Sequence, residues 1–146
     1  MADDRSLLTA LRVTHRLGMR QYREELRHLD LTPRQAAVLL AIETNPGHGV
    51  RFVAQQIGSD LPTCSALVAR LEERALIERR PDPDDRRRTK LFAAEAARPL
   101  IDVMLTAQAA AERRMAAAAG DDADLLRALL DRLAARLAEA EEPVEA

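Results

Sequence analysis

Residues 67–87 read LVARLEERALIERRPDPDDRR: the end of a helix, a short strand, and a turn crowded with charge. Upstream, apolar side chains at Leu67, Val68 and Leu71 share one face of a helix over about 61–75. Thr63, Ser65, Ala66, Ala69 and Arg70 occupy the remainder. Downstream, LIERR (76–80) and RTKLF (88–92) are β-like runs joined by Pro and Asp, the pattern of a hairpin. Its turn sets Asp82, Asp84 and Asp85 beside Arg86, Arg87, Arg88 and Lys90. A solvated loop does not require so many charges, and a surface for polyanions should not want the carboxylates.

Working outward, LDLTPRQ (29–35) is a helix start, with Thr32 as N-cap, Pro33 at N1 and Gln35 completing a capping box. The helix it opens, about 33–43, is almost solidly apolar and is expected to be buried on most sides. NPGHG (45–49) ends it as a turn. A short helix follows over about 51–57, with Gly58 at its left-handed end and Ser59 or Asp60 capping the next helix. Residues 6–29 carry one helical stripe of apolar positions. Two longer helices are expected over about 96–118 and 123–140, with Pro99 tolerable only in a first turn. The tail EEPVEA is expected to fray.

The order of elements spells a mainly α fold with a small β-hairpin wing. A winged helix-turn-helix over 32–93 is flanked by an N-terminal helix (1–31) and C-terminal helices (94–146). The flanking stripes are too extensive for a domain of about 60 residues to cover, so they are expected to pair with a second copy.

The 146 residues are 47% hydrophobic and 32% charged, with two Phe, one Tyr and no Trp, a composition that favours helices over a β-sandwich. Cys64 is the single cysteine, which excludes an intrachain disulfide and a CxxC pair. No apolar run reaches membrane-span length and MADDRSLL has no signal-peptide core, so a cytoplasmic protein is expected. The net charge of −2 hides a partition: 33–92 is net +2 and 93–146 net −5. No phosphate loop, nucleophile elbow or ligand-spaced His/Cys/carboxylate cluster is present, so neither catalysis, a cofactor nor a metal is expected.

Together, LTPRQAAVLLAI (31–42), VAQQIG (53–58) and LVARLEERALIERRPDPDDRR (67–87) resemble MarR-family transcriptional regulators, and the likeness extends over nearly the whole chain. The chain departs from the family pattern at Ala75, where Gly is frequent, at Ala66, where Arg is frequent, and at AAEAA (93–97) after the wing. The resemblance implies double-stranded DNA as partner, with a pseudo-palindromic operator read by a homodimer. It implies a recognition helix presenting Pro62, Thr63, Ser65, Ala66, Ala69 and Arg70. It also implies a wing in which Asp85 positions Arg87 for the minor groove, with Arg86, Arg88 and Lys90 near phosphates. A bidentate Asp85–Arg87 pair would reconcile the carboxylates with the cations. The plain alternatives are an amphipathic helix and a self-neutralising surface hairpin.

Members of this family often bind small anionic aromatic compounds between the dimer helices and the winged domain. That implies a pocket near His15, Met19, Tyr22, Arg23 and Met104, although Tyr22 and the methionines stand at helical spacing that suits a core better. The expected function is a homodimeric DNA-binding regulator, a repressor released by a small aromatic or anionic ligand. Two alternatives stay open: a winged-helix dimer acting through protein contacts, and an oxidant sensor using Cys64, which also fits a packing role.

Overall fold

The computed structural model describes residues 6–141, so the tail beyond Glu141, where fraying is expected, lies outside that range, as do the first five residues. The helices are α1 (Leu7–Gly18), α2 (Arg20–His28), α3 (Pro33–Thr44), α4 (Val50–Ile57), α5 (Leu61–Glu73), α6 (Arg98–Ala119) and α7 (Ala123–Glu141). Strands β1 (Ile77–Pro81) and β2 (Thr89–Ala93) form the antiparallel wing, in register from Ile77 opposite Ala93 to Pro81 opposite Thr89. Short 3-10 turns precede α6 and α7. This is the mainly α winged helix-turn-helix expected, with one difference at the N-terminal end.

The single helix expected over 6–29 is broken at Met19, whose φ of −89° and ψ of 1° end α1. The cause lies across the molecule on α6. The Arg114 guanidinium donates to the Gly18 carbonyl at 3.2 Å, occupying an acceptor that a continuous helix uses for itself. Met115 packs so closely that a Cβ on Gly18 would lie 2.7 Å from its Sδ. A residue with a side chain here would require the Met115 side chain to shift.

The capping box opens α3 as expected. Thr32 Oγ1 accepts from the Gln35 amide at 3.2 Å, and Gln35 Oε1 accepts from the Thr32 amide at 2.9 Å. Behind it Ala36, Val38, Leu39 and Ile42 are fully buried. They join Val53, Val68, Leu71, Leu91, Ile101 and Met104 in one core that runs from the winged region into α2 and α6. Pro99 falls in the first turn of α6, where it breaks no hydrogen bond.

Three helices end on the same device. In each, one amide reaches back five residues and its predecessor three: Leu31 to Leu26 and Asp30 to Arg27; Ser59 to Ala54 and Gly58 to Gln55; Leu76 to Leu71 and Ala75 to Glu72. The geometry requires a left-handed residue, and here these are Asp30 (φ 53°), Gly58 (φ 63°) and Ala75 (φ 56°). Gly pays nothing in this region and Asp tolerates it, but the Ala75 Cβ crowds its own carbonyl. The buried Leu71–Leu76 pair keeps Ala75 in place, because the turn that joins α5 to the wing delivers both leucines to the core.

NPGHG is more than the turn read from sequence. Gly47 donates to the Leu91 carbonyl at 2.9 Å and Leu91 donates to the His48 carbonyl at 3.0 Å, adding a third short rung to the wing sheet. His48 also stacks on Phe52, with ring centroids 4.0 Å apart.

Replacing Ala75 with Gly should therefore stabilise the protein, by about 1 kcal/mol after allowing for the looser unfolded chain. Urea titration followed by circular dichroism measures it. An unchanged or lower midpoint would show that no strain resides at this joint.

Candidate nucleic-acid interface

Asp60 sets the start of α5 by accepting the Thr63 amide on Oδ1 at 2.8 Å. That bond, with a second from the Thr63 hydroxyl, holds the Asp60 carboxyl below its ordinary range. Cys64, Val68 and Leu71 recur on one side of the helix and are sealed in the core. The opposite side is thereby turned outward. Pro62, Ala66, Ala69 and Arg70 are exposed there, and Thr63 and Ser65 are half-buried. All six residues read from sequence for this face lie off the core side. Most are small: Arg70 is the one long cation among the six, so the face offers shape and hydroxyls more than charge.

The wing tip beyond Pro81 is built by side chains folding back on the backbone. Asp82 Oδ1 accepts from the Asp84 amide at 3.0 Å and Asp85 Oδ1 from the Arg87 amide at 3.0 Å. The Arg88 amide closes onto the Asp85 carbonyl at 2.8 Å, and the Asp82 amide onto the Arg88 carbonyl at 2.9 Å. Each carboxylate then meets cations. Asp85 sends one oxygen to Arg87 Nε and the other to Arg88 Nε, both at 3.5 Å. Asp82 lies 3.5 Å from Lys90 Nζ. The Asp84 amide, followed by Lys90 and Arg88, keeps the Asp82 carboxyl below its ordinary range.

The expected Asp85–Arg87 pair is thus present on an exposed hairpin, but it is not bidentate. Asp85 divides its oxygens between two arginines because the tight turn brings both Nε atoms to it. Exposed pairs of this length are worth about 0–1 kcal/mol. The hydrogen bonds from backbone amides within the turn are the firmer constraint, and they fix where the arginine stems begin. The Arg87 side chain remains 93% exposed. Arg86 is exposed too, with no ion pair among the described residues.

Other cations were not singled out in the sequence. Arg79 pairs with Glu72 of α5 at 2.8 Å, and the Arg80 guanidinium lies 4.4 Å over the Phe92 ring. From opposite faces of the strand, Arg79 ties β1 to α5 and Arg80 ties it to β2. Arg34, exposed at the start of α3, is near enough to Asp60 to lower its carboxyl further. Arg79 and Arg80 stand in a strand that the sequence marks, whereas the approach of α3 to α5 leaves no local signal for Arg34.

Of the five residues expected around a ligand, Tyr22 and Met104 share the core cluster and Met19 packs against it, but the five do not line one cavity. Met104 is sealed in the core, His15 is exposed, and Met19 and Arg23 are half-buried. Tyr22 alone of the five lines a cleft of about 420 Å³ between α2 and α6. A larger groove of about 950 Å³ runs between α1, α6 and α7, lined by Leu17, Met115, Leu126 and Leu130, and includes none of the five.

Cys64 is fully buried, with Sγ 3.9 Å from the Val50 carbonyl. Burial, helped by the nearby Asp60 charge, pushes its thiol up. No group of three or more His, Cys, Asp or Glu among the described residues is placed to hold a metal ion. No helix among them is long and apolar enough to cross a membrane.

The MarR family model matches residues 29–88, from the end of α2 through the wing tip. The crystal structure of MarR is 30% identical in sequence, with 96% of each chain covered and a TM-score of 0.74. The transcriptional repressor CouR, bound to a 23-mer DNA duplex, is 28% identical, covering 88% of this chain and 92% of its own, with a TM-score of 0.78. The PcaV transcriptional regulator from Streptomyces coelicolor, in complex with its natural ligand, is 28% identical over 93% of this chain and 92% of its own, with a TM-score of 0.71. No curated protein sequence matches the chain. With the winged helix-turn-helix, its hairpin and both flanking helical segments accounted for over nearly the full length of MarR, the chain belongs to the MarR family of winged-helix transcriptional regulators.

Proposed function

We propose that the protein is a cytoplasmic, homodimeric DNA-binding repressor whose hold on DNA is released by a small ligand. One observation carries the DNA reading: the outward face of α5 and the exposed Arg87 stand on the same winged unit, with Arg87 stemming from a turn that Asp85 fixes. In this reading residues 32–93 form the DNA-binding domain. Pro62, Thr63, Ser65, Ala66, Ala69 and Arg70 face the major groove. Arg87 enters the minor groove, and Arg86, Arg88 and Lys90 stay near phosphates. Preset geometry matters because an arginine with a free stem would lose more rotamer entropy on binding. CouR, seen on its duplex, supports the assignment.

Residues 1–31 and 94–146 supply the dimer contacts. No residue of α1 is buried, and α7 exposes Leu125, Leu126, Leu129, Leu130 and Leu137. A row of leucines left in water is costly, at about 25 cal/mol per Å² of apolar surface, and a second copy carrying the same row can cover it. PcaV, seen with its ligand, supports the small-molecule arm of the proposal.

A reading in which the dimer works through protein contacts rests on Ala66 and the small residues of the α5 face, which leave few base readers. The buried Cys64, with its thiol pushed up, argues against oxidant sensing, because the reactive thiolate is scarce and enclosed.

Gel shifts on the DNA upstream of the gene and of its neighbours test the main reading. Binding should weaken steeply with salt, and Arg87→Ala should cost about 1–3 kcal/mol, with Asp85→Ala losing less. A folded dimer that binds no duplex at low salt would leave only the protein-contact reading. In sedimentation, the wild type should run as a dimer and Leu126→Glu/Leu130→Glu as a monomer at low micromolar concentration. A monomeric wild type would overturn the assembly. Iodoacetamide should alkylate native Cys64 far more slowly than the unfolded chain at the same pH, and equal rates would restore the oxidant-sensor reading.

A further inference from the structure

The cleft between α2 and α6 has a lining whose chemistry is opposite to that expected for an anion. Ala107, Ala110 and Ala111 form an apolar wall, and Tyr22 faces the space from α2. The charged side chains that line it are Glu25 and Asp102, both negative. Among the described residues neither carboxylate is engaged in an ion pair. The nearest cation along α6, Arg98, is occupied by Glu43 and Glu95.

Tyr22 is a second and independent sign. It is only 6% exposed, and its hydroxyl has no hydrogen-bond partner among the described residues. No fully enclosed side-chain oxygen or nitrogen lacks a partner, so this hydroxyl keeps an opening, and the cleft provides it. Burial raises the Tyr22 pKa, so the phenol stays neutral and can donate or accept without adding charge.

We propose that this cleft binds an amphipathic organic cation, an amine or quaternary ammonium carrying an apolar body about one aromatic ring in size. An anion entering the cleft meets two carboxylates that make no ion pair among the described residues, and no cation on the lining. A neutral ring gains only apolar contact. A cation gains both carboxylates at the rim, the alanine wall for its body, and the Tyr22 ring and hydroxyl beside its charge. The volume of about 420 Å³ is at the small end of ligand sites, which sets the limit of about one ring.

The position of the cleft also gives binding a route to the wing. Asp102 and Thr106 lie in the early turns of α6, just after Arg98, whose guanidinium holds Glu43 of α3. Helix α6 itself begins shortly after β2, joined by the 3-10 turn at Glu95–Ala97. A body wedged between α2 and α6 moves the helix to which the wing strand is attached. This consequence rests on the ligand-released regulator proposed above; the binding itself does not.

The test is isothermal titration of the full-length protein with benzyltrimethylammonium and, as the matched anion, benzoate. The ammonium should bind in the micromolar-to-millimolar range and benzoate should not. Glu25→Gln and Asp102→Asn, isosteric and at the rim, should each weaken the ammonium by about five- to tenfold, with circular dichroism unchanged. Benzoate binding as well as the ammonium, no heat with the ammonium, or ammonium binding indifferent to both substitutions would each overturn the cation site. A gel shift on the same preparations separates the two ideas. Ammonium binding without duplex binding would leave the site and remove the regulator, and duplex binding without ammonium binding would do the reverse.

Discussion

Leu91 enters the core from the middle of β2, and its own peptide groups are held by Gly47 and His48 at the end of α3. A two-stranded hairpin of this size has no stability of its own in water. The wing exists as a defined object because its second strand is fastened at this point, on one side by an apolar side chain and on the other by two backbone hydrogen bonds. Its first strand is fastened in the same way through Ile77, next to the Leu71–Leu76 turn that closes α5. The recognition face and the wing tip therefore share one frame. If Leu91 were lost, Arg87 would keep its turn but no longer have a fixed relation to α5.

Much of this was legible in sequence, for an identifiable reason. The capping box at Thr32–Gln35, the buried stripe of α5, the left-handed Gly58 and the strand pair about PDPDD are set by residues within a few positions of one another, and spacing reveals them. What escaped was set from a distance. The break at Met19 depends on Arg114 and Met115, nearly a hundred residues away, and the rung at His48 depends on Leu91. A single rung has no periodicity to read.

The same distinction explains the site. The family resemblance pointed to Asp85 and Arg87, but the sharing of Asp85 with Arg88 needed the closed turn. Tyr22 was found at a cleft, whereas His15, Met19, Arg23 and Met104 were grouped with it by the family resemblance. Spacing says which residues of one helix share a face and not what that face meets. Met104 meets the core, and the cleft that Tyr22 lines carries the acidic Glu25 and Asp102.

The wing tip has a consequence for how far its influence reaches. Between Asp82 and Lys90 there are three carboxylates and four cations, a net of one positive charge. At physiological ionic strength the field of exposed charges decays over about 8 Å, and opposed charges in one turn cancel within their own spacing. Seen from a Debye length away, the tip is close to neutral, and only a group already touching it meets an individual guanidinium. A wing of this kind does little to draw a polyanion in from solution. It adds little to the speed of encounter and acts late, on how long a complex lasts once the surfaces have met.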